Sequence, residues 1–218
     1  MTFIDFFLHL DVVLKAWVLA YPGWIYLMLF VVVFIETGAV VTPFLPGDSL
    51  LFAAGAIAAV PRGGLSVWLL LPVLFAAAAL GDTTNYSIGR AWGRRILDSG
   101  RFSRVITQER IVRTELFFAK HGGKTITFAR FFPVIRTFAP FLAGISRMGR
   151  GKFTLFNLAG AAAWVALFVG AGYFLGRIPF VAKNLELIVI GIISLTIVPA
   201  TWEAIRARRA RKRTAEAS

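Results

Sequence analysis

The 218-residue chain is 58% hydrophobic and 16% charged, with a net charge of +13, a composition too apolar for an ordinary soluble domain and suited to a membrane. It has no cysteine, which excludes disulfides, thiolate metal sites and a cysteine nucleophile. Its two histidines, His9 and His121, are too far apart in sequence to make a local ligand pair, so neither a metal nor another cofactor is expected.

The first segment, MTFIDFFLHLDVVLKAW, lacks the basic leader and small-residue cleavage pattern of a signal peptide. Phe3, Phe6, Phe7, Leu10, Val13, Leu14 and Trp17 recur at helical spacing, with Asp5, His9 and Lys15 largely to one side. Residues 1–20 therefore read as an uncleaved amphipathic helix in the membrane interface. A single membrane domain follows over 21–204. Its stretches Pro22–Gly38, Leu65–Tyr86, Phe153–Gly176 and Leu185–Trp202 approach the roughly 20 apolar residues that a spanning helix needs.

Between the first two spans lies ETGAVVTPFLPGDSLLFAAG, with two carboxylates, two prolines and three glycines in an otherwise apolar region. Pro43, Pro46 and Gly47 predict that the segment, about 39–60, turns back as a re-entrant hairpin. The short PRGG that follows, with only Arg62 charged, is then an outer loop. The next span is expected to finish in GDTTNYSIGR, whose polar residues sit at about one-turn spacing; Asp82 and Arg90 there are secondary candidates for a substrate path. Beyond it, TQERIVRTELFFAKHGGK predicts a basic amphipathic helix over about 103–121, capped by Thr107 and Gly122 and lying on the cytoplasmic surface.

Charge sets the topology. Arg90–Lys124 contains nine Lys/Arg against three acids, and Glu203–Ser218 six against two. Short basic segments beside spans stay on the cytoplasmic side. The tail, 205–218, carries RARRARKR, which attracts anionic lipid headgroups. No stacking module accompanies these charges, so nucleic acid is not an expected partner. Three full crossings between Lys124 and Glu203 would put the tail outside. One segment must turn back, and Thr125–Ser146, with Pro133 and Pro140 and followed by RMGRGK, is the second proline-broken hairpin. Both termini are then cytoplasmic. The expected fold is an all-α polytopic membrane protein with transmembrane helices and two opposed re-entrant hairpins in an inverted-repeat arrangement.

Non-helical backbone at membrane depth persists only where protein or a water-filled cavity satisfies it, and opposed broken helices are a common architecture of transporter sites. Glu36 and Asp48 lie on the first hairpin, Arg130 and Arg136 on the second. A charge near the bilayer centre costs roughly 2.5–3.5 kcal/mol even on a lenient scale, so the four are expected to converge and neutralise one another. Arginine presents a planar fork that matches phosphate oxygens, making Arg130 and Arg136 candidates for binding an anionic headgroup. Burial and a neighbouring arginine act on a carboxyl group in opposite senses, making Glu36 and Asp48 candidates for proton coupling. Trp24, Trp68, Trp164 and Trp202 read as interfacial or packing residues.

ETGAVVTPFLPGDSLLFAAG, GDTTNYSIGR, KHGGKTITFARFFPVIRTFAPFLAGIS and GYFLGRIPFVAKNLELIVIGI, in this order and spacing, resemble the DedA family of bacterial inner-membrane proteins, also called the SNARE-associated or VTT-domain family. The resemblance implies a multi-pass protein of the bacterial cytoplasmic membrane, with functionally important positions at Glu36, Asp48, Arg130 and Arg136. It also implies a role in membrane homeostasis dependent on the proton-motive force, with protons and membrane lipids as partners. The expected function is transport of a phosphate-bearing lipid, undecaprenyl phosphate or a phospholipid, between leaflets. The alternatives are a proton- or cation-coupled transporter of a small solute and a non-transporting scaffold pinned by its ion pairs. Without a nucleophile–base pair or a metal cluster, no catalytic residue and no enzymatic activity are expected.

Overall fold

The computed structural model describes residues 14, 16–18, 20, 21, 23–39, 47–60, 64–98, 123–184, 187, 188 and 191. The regular elements among them are all helices: α1 (Ile25–Gly38), α2 (Gly47–Ala59), α3 (Val67–Asp98), α4 (Lys124–Ala129), α5 (Pro133–Ile145), α6 (Arg150–Leu175) and α7 (Pro179–Lys183). Two of them, in α3 and α6, are long and apolar enough to cross a membrane. The expected cytoplasmic helix over 103–121 and the basic tail lie outside the described residues, as do most of the N-terminal helix and of the last span.

α1 is apolar over its length until Glu36, Thr37 and Gly38, which are buried at its end. α2 begins at Gly47 with Asp48 in its first turn, where a carboxylate complements the positive end of the helix dipole. α3 departs from the sequence expectation. Instead of ending in GDTTNYSIGR it runs on to Asp98, 32 residues in all, about 48 Å at 1.5 Å per residue. The polar run fits within the helix with its hydroxyls satisfied by carbonyls one turn earlier: Thr83 donates to Ala79 at 2.7 Å, Thr84 to Leu80 at 2.9 Å and Ser87 to Thr83 at 2.7 Å. Asp82 consequently sits near the middle of a long helix, not at its polar end.

The segment over 125–146 is broken as its prolines suggest, but at one place only. α4 stops before Arg130, and Phe132 is extended (φ −114°, ψ 108°), as expected for a residue preceding proline. Pro133 then opens α5 at a position where its missing N–H is not needed. Pro140 lies inside α5 without ending it. The Asn85 side-chain amide of α3 donates to the Thr137 carbonyl, one turn before Pro140, at 2.8 Å, so a neighbouring helix serves the backbone around the proline.

The short helix of each half packs on the long helix of the other: α2 against α6, and α5 against α3. Both contacts close through glycines. A Cβ at Gly55 would stand 2.3 Å from the Val169 carbonyl oxygen, and one at Gly172 2.0 Å from that of Phe52. At the second contact a Cβ at Gly89 would meet the Phe141 carbonyl oxygen at 2.2 Å, and one at Gly144 that of Tyr86 at 2.2 Å. Such small-residue faces are how helices approach closely when no water is present to drive them together.

Two apolar clusters form around these contacts. One includes Leu29, Val33, Leu51, Leu74, Ala78, Trp164 and Val169; the other Tyr86, Ile126, Ala143 and Phe153. Along α3 the buried polar residues Asp82 and Asn85 fall between Ala79 of the first cluster and Tyr86 of the second, and along α6 Asn157 falls between Phe153 and Ala161. The polar residues thus form a layer with apolar packing on either side.

Gly144→Val should lower the melting temperature in detergent, because overpacking costs roughly 1–3 kcal/mol. Gly170→Ala, where an added Cβ meets nothing within 4 Å, should leave it unchanged. Near-UV circular dichroism melts would distinguish the two; equal transitions would contradict the close α3–α5 contact.

Candidate functional site

Arg136, on the first turn of α5, joins three other helices. Its Nη1 donates to Asp48 Oδ1 of α2 at 2.7 Å and its Nη2 to Glu36 Oε1 of α1. The Trp164 indole of α6 donates to the same Asp48 oxygen at 2.9 Å, and the Arg136 guanidinium lies 5.1 Å from the Trp164 ring centroid. The Gly47 N–H at the start of α2 donates to Glu36 Oε1 at 3.1 Å. Glu36 and Arg136 are 1% and 9% exposed, a depth at which an unpaired ion is untenable and a bridged one persists.

Arg130 lies in the α4–α5 break and makes a separate cluster. Its Nη2 donates to Asp82 Oδ2 of α3 at 2.5 Å, to Asn157 Oδ1 of α6 at 2.6 Å and to the Ala78 carbonyl at 3.3 Å. Asn157 is fixed in turn, because its amide donates to the Ala79 carbonyl at 2.9 Å and to the Thr83 hydroxyl at 3.2 Å. Asn85 ties the neighbouring elements together by donating to the Thr37 and Thr137 carbonyls at 3.2 and 2.8 Å. Thr37, Asp82, Arg130, Arg136, Thr137 and Trp164 line one cavity of about 10 Å³, room for about one water molecule.

Glu36, Asp48 and Arg136 therefore meet, drawn from both halves of the chain. Arg130 borders the same cavity but pairs with Asp82, not with Glu36 or Asp48. Asp82, expected at a polar span end, is instead carried into the interior by the continuous α3 and is 3% exposed. Arg90 lies elsewhere. It donates to the Tyr86 hydroxyl at 2.9 Å and the Met148 carbonyl at 3.1 Å, is exposed, and does not line the cavity. Trp164 is more than packing, since its N–H holds Asp48. Asn157 carried a legible signal, as a lone amide in an otherwise apolar span; the role of Trp164 had none. Among the described residues no group of three or more His, Cys, Asp or Glu is arranged to hold a metal ion.

The VTT domain profile matches residues 45–174. Over 213 residues the chain is 47% identical to protein DedA of Escherichia coli K12, covering 98% of this chain and 97% of that one. The chain belongs to the DedA family. The chain is also similar to an uncharacterized membrane protein of Mycobacterium tuberculosis H37Rv, 41% identical over 84% of this chain and 79% of its own length. Inner membrane protein YghB of Escherichia coli K12 is 34% identical over 73% of this chain and 72% of its own length. No solved structure matches the chain. The region matched by the VTT domain contains Asp48, Asp82, Arg130, Arg136, Asn157 and Trp164, whereas Glu36 lies before it.

Arg136→Met would leave two carboxylates without their shared partner, and breaking a buried pair costs about 3–5 kcal/mol. Adding Glu36→Gln to that variant should recover part of the loss. A double-mutant cycle on thermal stability should therefore show strong coupling between the positions, while additive effects would contradict the ion pair.

Proposed function

We propose that this DedA-family member is a proton-coupled transporter of the bacterial inner membrane that carries a phosphate-bearing lipid headgroup between leaflets. The observation that carries this reading is Arg136, a buried guanidinium held by two carboxylates from different helices beside a second arginine. Guanidinium forks bind carboxylate and phosphate with the same geometry. Glu36 and Asp48 thus occupy the positions that phosphate oxygens take on Arg136 when substrate is bound. The cavity of about 10 Å³ is far too small for a phosphate group, so the ion pairs must separate before one can enter.

Proton coupling follows from competition. Protonation of Glu36 or Asp48 weakens its hold on Arg136 and frees the fork for an anion. Three carboxylates, Glu36, Asp48 and Asp82, face two guanidiniums, leaving one negative charge in excess that a proton removes. Driving protons inward then drives the exchange of carboxylate for phosphate. The architecture proposed for this exchange is an inverted repeat. In it the segments over about 39–60 and 125–146 act as opposed re-entrant hairpins, a reading supported by the α4–α5 break and by the reciprocal packing of α2 on α6 and α5 on α3. Both termini face the cytoplasm in this arrangement, in keeping with the basic segments.

The test is leaflet-resolved movement of a labelled phosphate lipid in proteoliposomes, with and without a pH gradient. Wild type should accelerate movement and respond to the gradient. Arg136→Lys keeps the charge but loses the fork, and should abolish movement while the protein remains folded. Glu36→Gln should retain movement but lose the response to the gradient. Wild-type movement by Arg136→Lys would overturn the role of the guanidinium.

A further inference from the structure

The two buried arginines are not equivalent. Arg136 is held by two carboxylates, whereas Arg130 has one carboxylate, Asp82, and one neutral amide, Asn157. A guanidinium that shares its charge with a single carboxylate retains more attraction for an incoming anion than one clamped by two. Arg130 also has an unused donor: its Nε, although buried, has no hydrogen-bond partner among the described residues. A buried donor left unmade is costly and ready for an acceptor. Beside it on α6 is Gly160, where a Cβ would approach Nε to 3.3 Å, so the missing side chain lets the guanidinium pack close to the α6 backbone while Nε stays without an acceptor.

From this asymmetry we infer that Arg130 is the guanidinium that first engages an anionic phosphate group, and that Asn157 sets this order by holding Arg130 without neutralising it. The inference rests on the proposed function and deepens it. Asn157 is a positioning residue. Its Oδ1 fixes the Arg130 fork, and its own amide is locked by Ala79 and Thr83, so it cannot turn a donor towards Arg130 without breaking two hydrogen bonds. Arg136 comes second, when a carboxylate lets it go. The charged groups around Arg130 are Asp82 on α3 and, across the shared cavity, Arg136 on α5 with its partners Glu36 and Asp48. On α6 the groups at this level, Asn157 and Trp164, do not titrate.

Binding to the full chain in nanodiscs tests this, with dihexanoyl phosphatidic acid and inorganic phosphate as probes. Asn157→Asp places a second carboxylate on Arg130 at almost unchanged volume. It should weaken binding of the lipid phosphate by roughly tenfold or more near neutral pH, because a new carboxylate competes for the same fork. Acidification should restore the lost affinity. Asp82→Asn removes the competing charge and should strengthen binding several-fold at neutral pH. Wild-type affinity in Asn157→Asp, a loss that acid does not reverse, or weaker binding by Asp82→Asn would each overturn the assignment of Arg130. Absence of any binding by wild type would instead overturn the proposed function itself. Preference for inorganic phosphate over the lipid phosphate would overturn its lipid substrate, with the two variants still deciding the role of Arg130.

Discussion

A guanidinium in an apolar interior must be neutralised where it stands, and the rest of this structure is arranged around that requirement at Arg136. Its fork reaches Glu36 on α1 and Asp48 on α2, helices that belong to the other half of the chain. The bond therefore closes the fold as well as the charge balance. Replacing such a cluster by well-packed apolar residues often costs nothing and sometimes stabilises a protein. Its presence in a chain of this apolarity is thus better explained by what the charges do than by the stability they add.

The helical framework supplies what the charges need. Close glycine contacts bring α2 onto α6 and α5 onto α3, and these two crossings carry Asp48 and Arg136 to the same level as Asp82 and Asn157. Apolar clusters on either side leave that level room for about one water molecule, which strengthens each polar contact and raises the penalty for leaving a donor or acceptor unused. The amides of Asn85 and Asn157 answer that penalty by spanning helices, serving backbone carbonyls of α1, α3 and α5. Held this way, the polar layer has the fixed hydrogen-bonded geometry on which the proposed proton-driven exchange would act.

Much of this was legible in the sequence because lipid penalises charge so heavily. Glu36, Asp48, Arg130 and Arg136 stood out against their apolar surroundings, and parity of the basic segments argued that their neighbourhoods were broken helices. What failed was local. GDTTNYSIGR looked like a span end, since polar residues usually mark one, but hydroxyls that donate to their own helix let the polar run continue inside the fold and carried Asp82 to its centre. Pro140 looked like a break and is not: α5 runs through it, and one turn earlier the Thr137 carbonyl also accepts from Asn85, far away in sequence. The pairing of Arg130 with Asp82 rather than with Glu36 or Asp48, and the hydrogen bond from Trp164, depend on which helices cross, a relation that no local spacing encodes.

Convergence of charge from the two halves can be observed directly. Solid-state NMR on the protein in lipid bilayers, with labelled arginine side-chain nitrogens and aspartate and glutamate carboxyl carbons, reports guanidinium–carboxylate distances at ion-pair range. Strong nitrogen–carbon recoupling within about 4 Å, lost for one arginine signal in Arg136→Lys and reduced in Glu36→Gln, is the expected result. Recoupling that survives unchanged in both variants would contradict the meeting of α1, α2 and α5 on which the mechanism stands.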